Sequence, residues 1–245
     1  MSDKAIERID EIGFGNLKLK QRPKEFCYGV DAVILADFAA KFCNKSKIVF
    51  DLGTGTGVIP LILSHKLKEG SIVGVEIQKQ SANLAKENVA INNLEDKIKI
   101  LNCNIKDIPE KYFDTANLVV SNPPYMPKHG ALKNTNSAKT IARHEIEADL
   151  KDFFQIASRL LKDRGELFMV HRPSRMVDLL AYAREFRLEA KTMQLVCPKN
   201  GEVPNIVLIH FVKNGGKELK LLKNLDVHKE DGGYTEDILK IYEKF

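Results

Sequence analysis

The sequence predicts an α/β fold in which helices cover both faces of a doubly wound, mostly parallel seven-stranded sheet that ends in an antiparallel hairpin. Three observations point there. From Lys47 onward, short apolar runs rich in β-branched residues alternate with longer amphipathic segments, the rhythm of parallel strands joined by crossover helices. The linker GEVPN at 201–205 between the last two runs is too short for a helix, so those two strands must pair as a hairpin. Finally, 245 residues with 44% hydrophobic and 29% charged side chains are enough for one sizeable core.

Taken in order, the N-terminal segment sets Phe14, Asn16, Lys18 and Lys20 against Gly15, Leu17, Leu19 and Gln21. That alternation predicts a short strand with Leu17 and Leu19 inward, ended by Pro23. Beyond the loop RPKEFCYG, Asp31 is placed to N-cap a helix over AVILADFAAKF, in which Val33, Ile34, Phe38 and Phe42 recur at helical spacing. The main strands are KIVFDL, SIVGVE, KIKILNC, ANLVVSN, GELFMVH, EAKTMQLVC and NIVLIHFV; helices follow over VIPLILSHK, QKQSANLAKENVAINN and LKDFFQIASRLLK. One long polar loop, MPKHGALKNTNSAKTIARHE, interrupts the rhythm after NPPY, and loops of that length in a compact domain are commonly functional or disordered. The expected organisation is a strand and helix over 1–46 packed on the site, a core over 47–213, and a basic tail with a short helix over 214–245, all in one domain.

Composition excludes several classes. No run approaches the roughly 20 apolar residues of a membrane helix, and the charged opening MSDKAIERIDE is not a signal peptide, so the expected location is the cytoplasm. Cys27, Cys43, Cys103 and Cys197 are far apart without a CxxC pair; they read as buried thiols, with neither a disulfide framework nor a metal site. The net charge of +5 suits a polyanionic partner without establishing one.

The chemistry concentrates at strand ends. KIVFDL runs into Gly53, Gly55 and Gly57 and then into a helix, so that a ligand can approach the backbone at a helix N-terminus. A tight turn is the plainer reading, and a dinucleotide site is disfavoured because the GxGxxG spacing is not met. Asp51, just before the loop, would repel a pyrophosphate but attract an ammonium group. Glu76 closes the second strand about 20 residues after the glycines, where a carboxylate accepts from ribose hydroxyls; a solvated strand-end acid is the alternative. Ile77 follows it, and Asn104 and Ile105, after the third strand, are placed to meet an adenine ring.

Asn122-Pro123-Pro124-Tyr125 ends the fourth strand, beside the crevice where open α/β sheets bind ligands. A proline-stiffened turn is the bland reading. An amino nitrogen conjugated to a π system is a poor nucleophile until that conjugation is reduced. The Asn122 oxygen and the Pro123 carbonyl are suited to accept its two N–H bonds. Pro124 confines Pro123 to extended geometry, and Tyr125 offers a ring on which a planar base stacks.

Together DLGTGTG, Glu76 and NPPY resemble the class I, Rossmann-like S-adenosylmethionine-dependent methyltransferases that act on amino groups. More narrowly, NLKLKQ, YGVDAVILADFA, DLGTGTG, NPPY, ARHE and the terminal YTEDILKIY resemble the bacterial tRNA adenine N6 methyltransferases that modify valine tRNA beside its anticodon. The resemblance implies S-adenosyl-L-methionine bound by Asp51, Gly53, Gly55, Gly57, Glu76, Ile77, Asn104, Ile105 and Asn122, and an RNA partner, foremost tRNA. It also implies that Tyr28 and Asp31 lie near the cofactor, the N-cap role for Asp31 remaining open. An acid is frequent in that family where this chain has Asn104. Lys128, Arg143, His144 and Arg172 are candidate RNA contacts, with Arg175 beside Arg172; a helix start with solvent-facing charges explains Arg143 and His144 equally, and strand-to-helix loops such as HRPSR are often basic by chance. The chain is expected to act as a monomer or weak dimer. Ribosomal RNA and release-factor glutamine methyltransferases share related NPP(Y/F) motifs, but they usually carry an extra domain for which about 46 leading residues leave little room. A DNA adenine methyltransferase would lack its target-recognition domain, and an RNA-binding protein that keeps the pocket without turnover is a reading of a different class.

Overall fold

The computed structural model describes residues 8–21, 29–42, 48–125 and 149–244. A small hairpin of β1 (Arg8–Glu11) and β2 (Lys18–Gln21) precedes helix α1 (Val30–Phe42). Then come β3 (Ile48–Leu52), α2 (Val58–Lys66), β4 (Ser71–Glu76), α3 (Lys79–Ala90), β5 (Ile98–Asn102) and β6 (Ala116–Ser121). The second half carries α4 (Leu150–Leu160), β7 (Leu161–His171), α5 (Met176–Glu185), β8 (Leu188–Lys199), β9 (Ile206–Lys213), β10 (Lys220–Leu221), β11 (Leu225–His228) and α6 (Glu236–Ile241).

The seven expected strands form the body of the sheet in the order β5-β4-β3-β6-β7-β9-β8. All neighbours from β5 to β7 are parallel, and β9 runs antiparallel between β7 and β8. Among the described residues the sheet has nine strands, because the tail adds β10 and β11 in parallel pairing to β8. The tail was expected to hold only a basic run and a short helix. LKL and LDVH are too short to show a period against the surrounding lysines, and their pairing is set by the open β8 edge.

Alternation along each strand builds the two cores. Val49, Leu118, Val120, Phe168 and Val170 face the layer of α1, α2, α3 and α6, while Phe50, Leu52, Val119, Leu167 and Met169 face α4 and α5, as the two-residue pleat requires. α1 is buried from Ala32 to Ala40, including Asp37, which pairs with Lys41 and Lys66, so it is covered on all sides rather than along one stripe.

At the N-terminus the alternation carries only part way. Leu19 is fully buried and Leu17 partly so, but Phe14, placed outward by the alternation, has no exposed surface. Gly13, Gly15 and Asn16 all take positive φ, so 13–16 is a turn and the strand period does not apply there. The turn tucks Phe14 against Tyr242, ring centroids 6.2 Å apart, joining the two chain ends. Asp31 is not an N-cap either: α1 begins at Val30, which puts Asp31 inside the first turn. Cys197 is a buried thiol, Cys103 is only half-buried, and both are free; Cys27 and Cys43 lie outside the described residues. Among those residues no helix is long and apolar enough to cross a membrane.

Candidate active site

The register of β3 on β6 sets the site. Leu52 lies opposite Ser121, so Gly53 and Asn122, the next residues, leave the sheet side by side at the point where the strand order reverses. Ligands of open α/β sheets bind at that place. The cavity there has a volume of about 330 Å³ and is lined by the glycine loop, the end of β4, Asn104, Ile105, Asn122 and Pro124. Phe153 from α4, Gln78 and Ser81 also line it; sequence reasoning missed these three, since nothing local distinguishes Phe153 from a core aromatic.

Backbone amides hold the glycine loop. Gly53 and Thr54 both donate to the Val75 carbonyl at 2.9 Å. Gly53, Gly55 and Gly57 have φ of 80°, 56° and 83°, a region side-chain-bearing residues adopt at a cost. A Cβ on Gly55 would meet nothing within 4 Å, whereas one on Gly57 would come within 3.2 Å of Ala85. Gly55 therefore leaves space for a ligand and Gly57 for helix packing. The Glu76 carboxylate accepts from Gly55 N at 2.9 Å with one oxygen and from Gln78 N at 2.8 Å with the other. Each oxygen keeps a further lone pair for a hydroxyl, so the strand-end acid is fixed rather than merely solvated. Fully buried Asn88 ties this loop to the N-terminal hairpin, donating to the carbonyls of Thr56 and Lys20 and accepting from Lys20 N. Asn92 repeats the contact on Lys18. Two asparagines spaced by four residues near the end of a helix were the overlooked signal.

Asp51 has no exposed surface, and neither of its carboxylate oxygens has a hydrogen-bond partner. Burial pushes its pKa up to about 7, partly offset by the nearby Thr54 hydroxyl and reinforced by the charge of Glu76. An orphaned buried carboxylate is costly unless a partner reaches it. The Asn104 side chain accepts from Lys106 N at 3.0 Å and caps the short 3-10 turn that carries Ile105.

On the facing wall, Pro123 is buried and Pro124 exposed. The Tyr125 hydroxyl donates to Asn122 Oδ1 at 2.8 Å and lies 3.2 Å from Asp31 Oδ2, which also accepts from Asn122 Nδ2 at 3.3 Å. Burial and the Asp31 carboxylate push the Tyr125 pKa up, so the phenol stays protonated. The Arg172 guanidinium sits over the Tyr125 ring, 4.7 Å from its centroid, and His171 meets the ring edge-on at 5.1 Å. Burial, with help from Arg175, lowers the His171 pKa to about 4, leaving it neutral at physiological pH.

A glycine loop, a strand-end acid and an NPPY wall around one cavity is a methyltransferase arrangement, and residues 30–197 match the methyltransferase small domain model. The chain belongs to that family. This methyltransferase is 31% identical to the tRNA1(Val) (adenine(37)-N6)-methyltransferase of Trichodesmium erythraeum, over 96% of this chain and 97% of that one. It is 28% identical to the enzyme of the same name from Porphyromonas gingivalis, over 96% and 94%. Among solved structures, a predicted O-methyltransferase from Agrobacterium tumefaciens matches with a TM-score of 0.69 at 18% identity, over 87% of this chain and 96% of that one. The geranyl diphosphate C-methyltransferase of Streptomyces coelicolor matches at 0.55 and 16%, over 74% and 80%. These structures share the fold across unlike acceptors, so acceptor chemistry must be read from the site.

The structure thus gathers Gly53, Gly55, Glu76, Ile77, Asn104, Ile105 and Asn122 around one cavity, with Asp51 buried at the strand end beneath the loop. Asp31 contacts the NPPY wall instead of lining that cavity. Arg172 is committed to Tyr125 and to the Asn205 carbonyl at 2.9 Å, and Arg175 to Asp178 at 2.6 Å. Tyr28, Lys128, Arg143 and His144 lie outside the described residues.

Proposed function

We propose that this protein transfers a methyl group from S-adenosyl-L-methionine to adenine N6 in tRNA, at position 37 beside the anticodon of a valine tRNA, in the cytoplasm. The observation that carries the reading is the juxtaposition of Asn122 with the glycine-loop cavity: one residue lines the cofactor side and offers an acceptor oxygen on the other. The names of relatives that align over nearly the full chain supply the RNA and the position.

The residues present fit the cofactor. Unpaired Asp51 matches a cationic ammonium, Glu76 keeps lone pairs for ribose hydroxyls, Gly55 leaves room beside the backbone, and Ile77 and Ile105 offer apolar walls to a purine. When bound, S-adenosyl-L-methionine supplies an electrophilic methyl group. The chain's task is to prepare the nucleophile. Asn122 Oδ1 and the Pro123 carbonyl accept the two amino N–H bonds and favour a pyramidal nitrogen, while Tyr125 holds the base by stacking. No strong base is needed, because the methylated nitrogen is cationic and readily loses its proton. Catalysis is alignment and hydrogen-bond polarisation. We read 1–46 as a strand and helix that pack on the cofactor site, 47–213 as the methyltransferase core, and 214–245 as a basic tail with a short helix in the same domain.

The test is incubation with labelled S-adenosylmethionine and unmodified tRNA, ribosomal RNA and protein fractions. N6-methyladenosine confined to tRNA is the expected result; label confined to ribosomal RNA or to protein glutamine refutes the acceptor.

A further inference from the structure

We propose that Asp31 is a positioning residue for the acceptor: it fixes the orientation of the Asn122 amide and receives the Tyr125 hydroxyl proton's hydrogen bond when the acceptor takes Asn122 Oδ1. This role rests on the reading of NPPY as the acceptor wall, but not on which molecule carries the amino group.

A carboxylate only accepts hydrogen bonds. With Asp31 Oδ2 at 3.3 Å, the edge of the Asn122 amide that faces it must be the NH2 group, since the flipped amide would set two acceptors against each other. The oxygen is thereby forced toward Tyr125, whose hydroxyl donates to it at 2.8 Å. An asparagine without such a partner has two nearly isosteric orientations, of which only one offers an oxygen to an amino group.

The phenol has one proton and two acceptors within reach, Asn122 Oδ1 and Asp31 Oδ2, the latter at 3.2 Å. An arriving amino group competes for Oδ1. The hydroxyl answers by rotating toward Asp31, so no polar group is stranded. No proton leaves oxygen in this exchange. Burial and Asp31 both hold the Tyr125 phenol in its protonated form, which the exchange requires.

The first turn of α1 is shaped to hold the carboxylate in place. Asp31 Oδ1 accepts from Ala32 N at 3.0 Å, leaving Oδ2 for the site. A Cβ on Gly29 would lie 2.5 Å from Asp31 Oδ1 and 3.5 Å from its Cγ, so the carboxylate fills the space a side chain at 29 would need. Absence of a side chain at 29 is therefore what lets Asp31 reach a strand end 91 residues away in the chain.

The experiment compares Asp31→Ala, Asp31→Asn and Gly29→Ala in the full-length protein, with thermal melts to confirm folding. S-adenosylmethionine affinity is measured by calorimetry, single-turnover rates on unmodified tRNA, and the Asn122 side-chain amide by NMR, its signal identified by its loss in Asn122→Ala. Asp31→Ala is expected to slow turnover about 10- to 100-fold with cofactor affinity unchanged, and to shift the Asn122 amide protons toward the values of a solvent-exposed asparagine. Asp31→Asn, which can present its own carbonyl oxygen, recovers part of the rate, and Gly29→Ala reproduces part of the loss while leaving every site side chain intact. Weakened cofactor binding with unchanged turnover would make Asp31 a cofactor contact and overturn the proposal. The amide signal needs no acceptor. If tRNA is not methylated but the signal responds to Asp31, the acceptor reading fails and the positioning role stands; an unresponsive signal overturns the role whatever the acceptor.

Discussion

The two walls of the cavity are held by different kinds of contact. On the glycine-loop side most partners are backbone groups: Gly53 and Thr54 donate to the Val75 carbonyl, Glu76 accepts from Gln78 N and Gly55 N, and the Asn88 side chain holds the Thr56 carbonyl. On the NPPY side they are side chains brought from afar, with Asp31 91 and 94 residues from Asn122 and Tyr125. Backbone amides make a rigid cradle, whereas an amide, a phenol and a carboxylate can exchange partners without moving the main chain. A cofactor common to many reactions suits the first wall, and an acceptor whose lone pair must be reoriented suits the second.

The comparison breaks most sharply at Asn122. Asn122→Ala is expected to reduce the rate about 100- to 1000-fold, the usual cost of losing one preorganised polar group at the reacting centre, with much less effect on S-adenosylmethionine binding; single-turnover kinetics and calorimetry separate the two. Glu76→Ala should do the reverse. It is expected to weaken cofactor binding about 10- to 100-fold by removing charged hydrogen bonds, while the rate at saturating cofactor largely survives. Loss of rate without loss of affinity would mean the two walls do not divide the work as described.

Asp51 gives a pH signature. Its folded pKa of about 7 lies above the ordinary carboxylate value of 3.8, so between those values the folded chain holds a proton that the unfolded chain has released. Stability from this group is fully present below about pH 4 and declines as pH rises toward 7. Asp51→Asn is expected to raise the melting temperature of the ligand-free protein at about pH 8 and to change it little at about pH 3, below both pKa values, where Asp51 is largely neutral in both states. Equal shifts at both pH values would contradict a buried, unpaired carboxylate.

The smallest effect is expected at Arg172. The sequence placed it among candidate RNA contacts, yet the guanidinium lies on the Tyr125 ring. Arg172→Ala should raise the KM for RNA about two- to fivefold, the size of a partly exposed cation–π contact, and leave the salt dependence of binding unchanged. A shallower salt slope, by about one unit, would return Arg172 to the phosphate backbone.

The same division explains what could be read from the sequence. Strand runs, the hairpin, the glycine loop and Glu76 are local patterns, and the structure holds them where the pattern put them. Phe14 was misplaced because a glycine turn interrupts the strand period, and β10 and β11 were unseen because two- and four-residue strands take their pairing from a neighbouring edge. Phe153 and Asn88 were missed because their importance comes from what the fold sets beside them. Asp31 was noticed, but its contact with Asn122 bridges parts of the chain that no local spacing connects.

The central claim is that the NPPY wall presents an amino nitrogen of tRNA to the cofactor. The most direct measurement is methyl transfer to an unmodified valine tRNA transcript, compared with a transcript carrying guanine in place of adenine 37, followed by nucleoside mass spectrometry for the native protein and for Asn122→Ala. N6-methyladenosine in the first transcript alone, and lost with Asn122→Ala, is the predicted result. Equal methylation of both transcripts, or methylation that survives loss of the Asn122 amide, would contradict it.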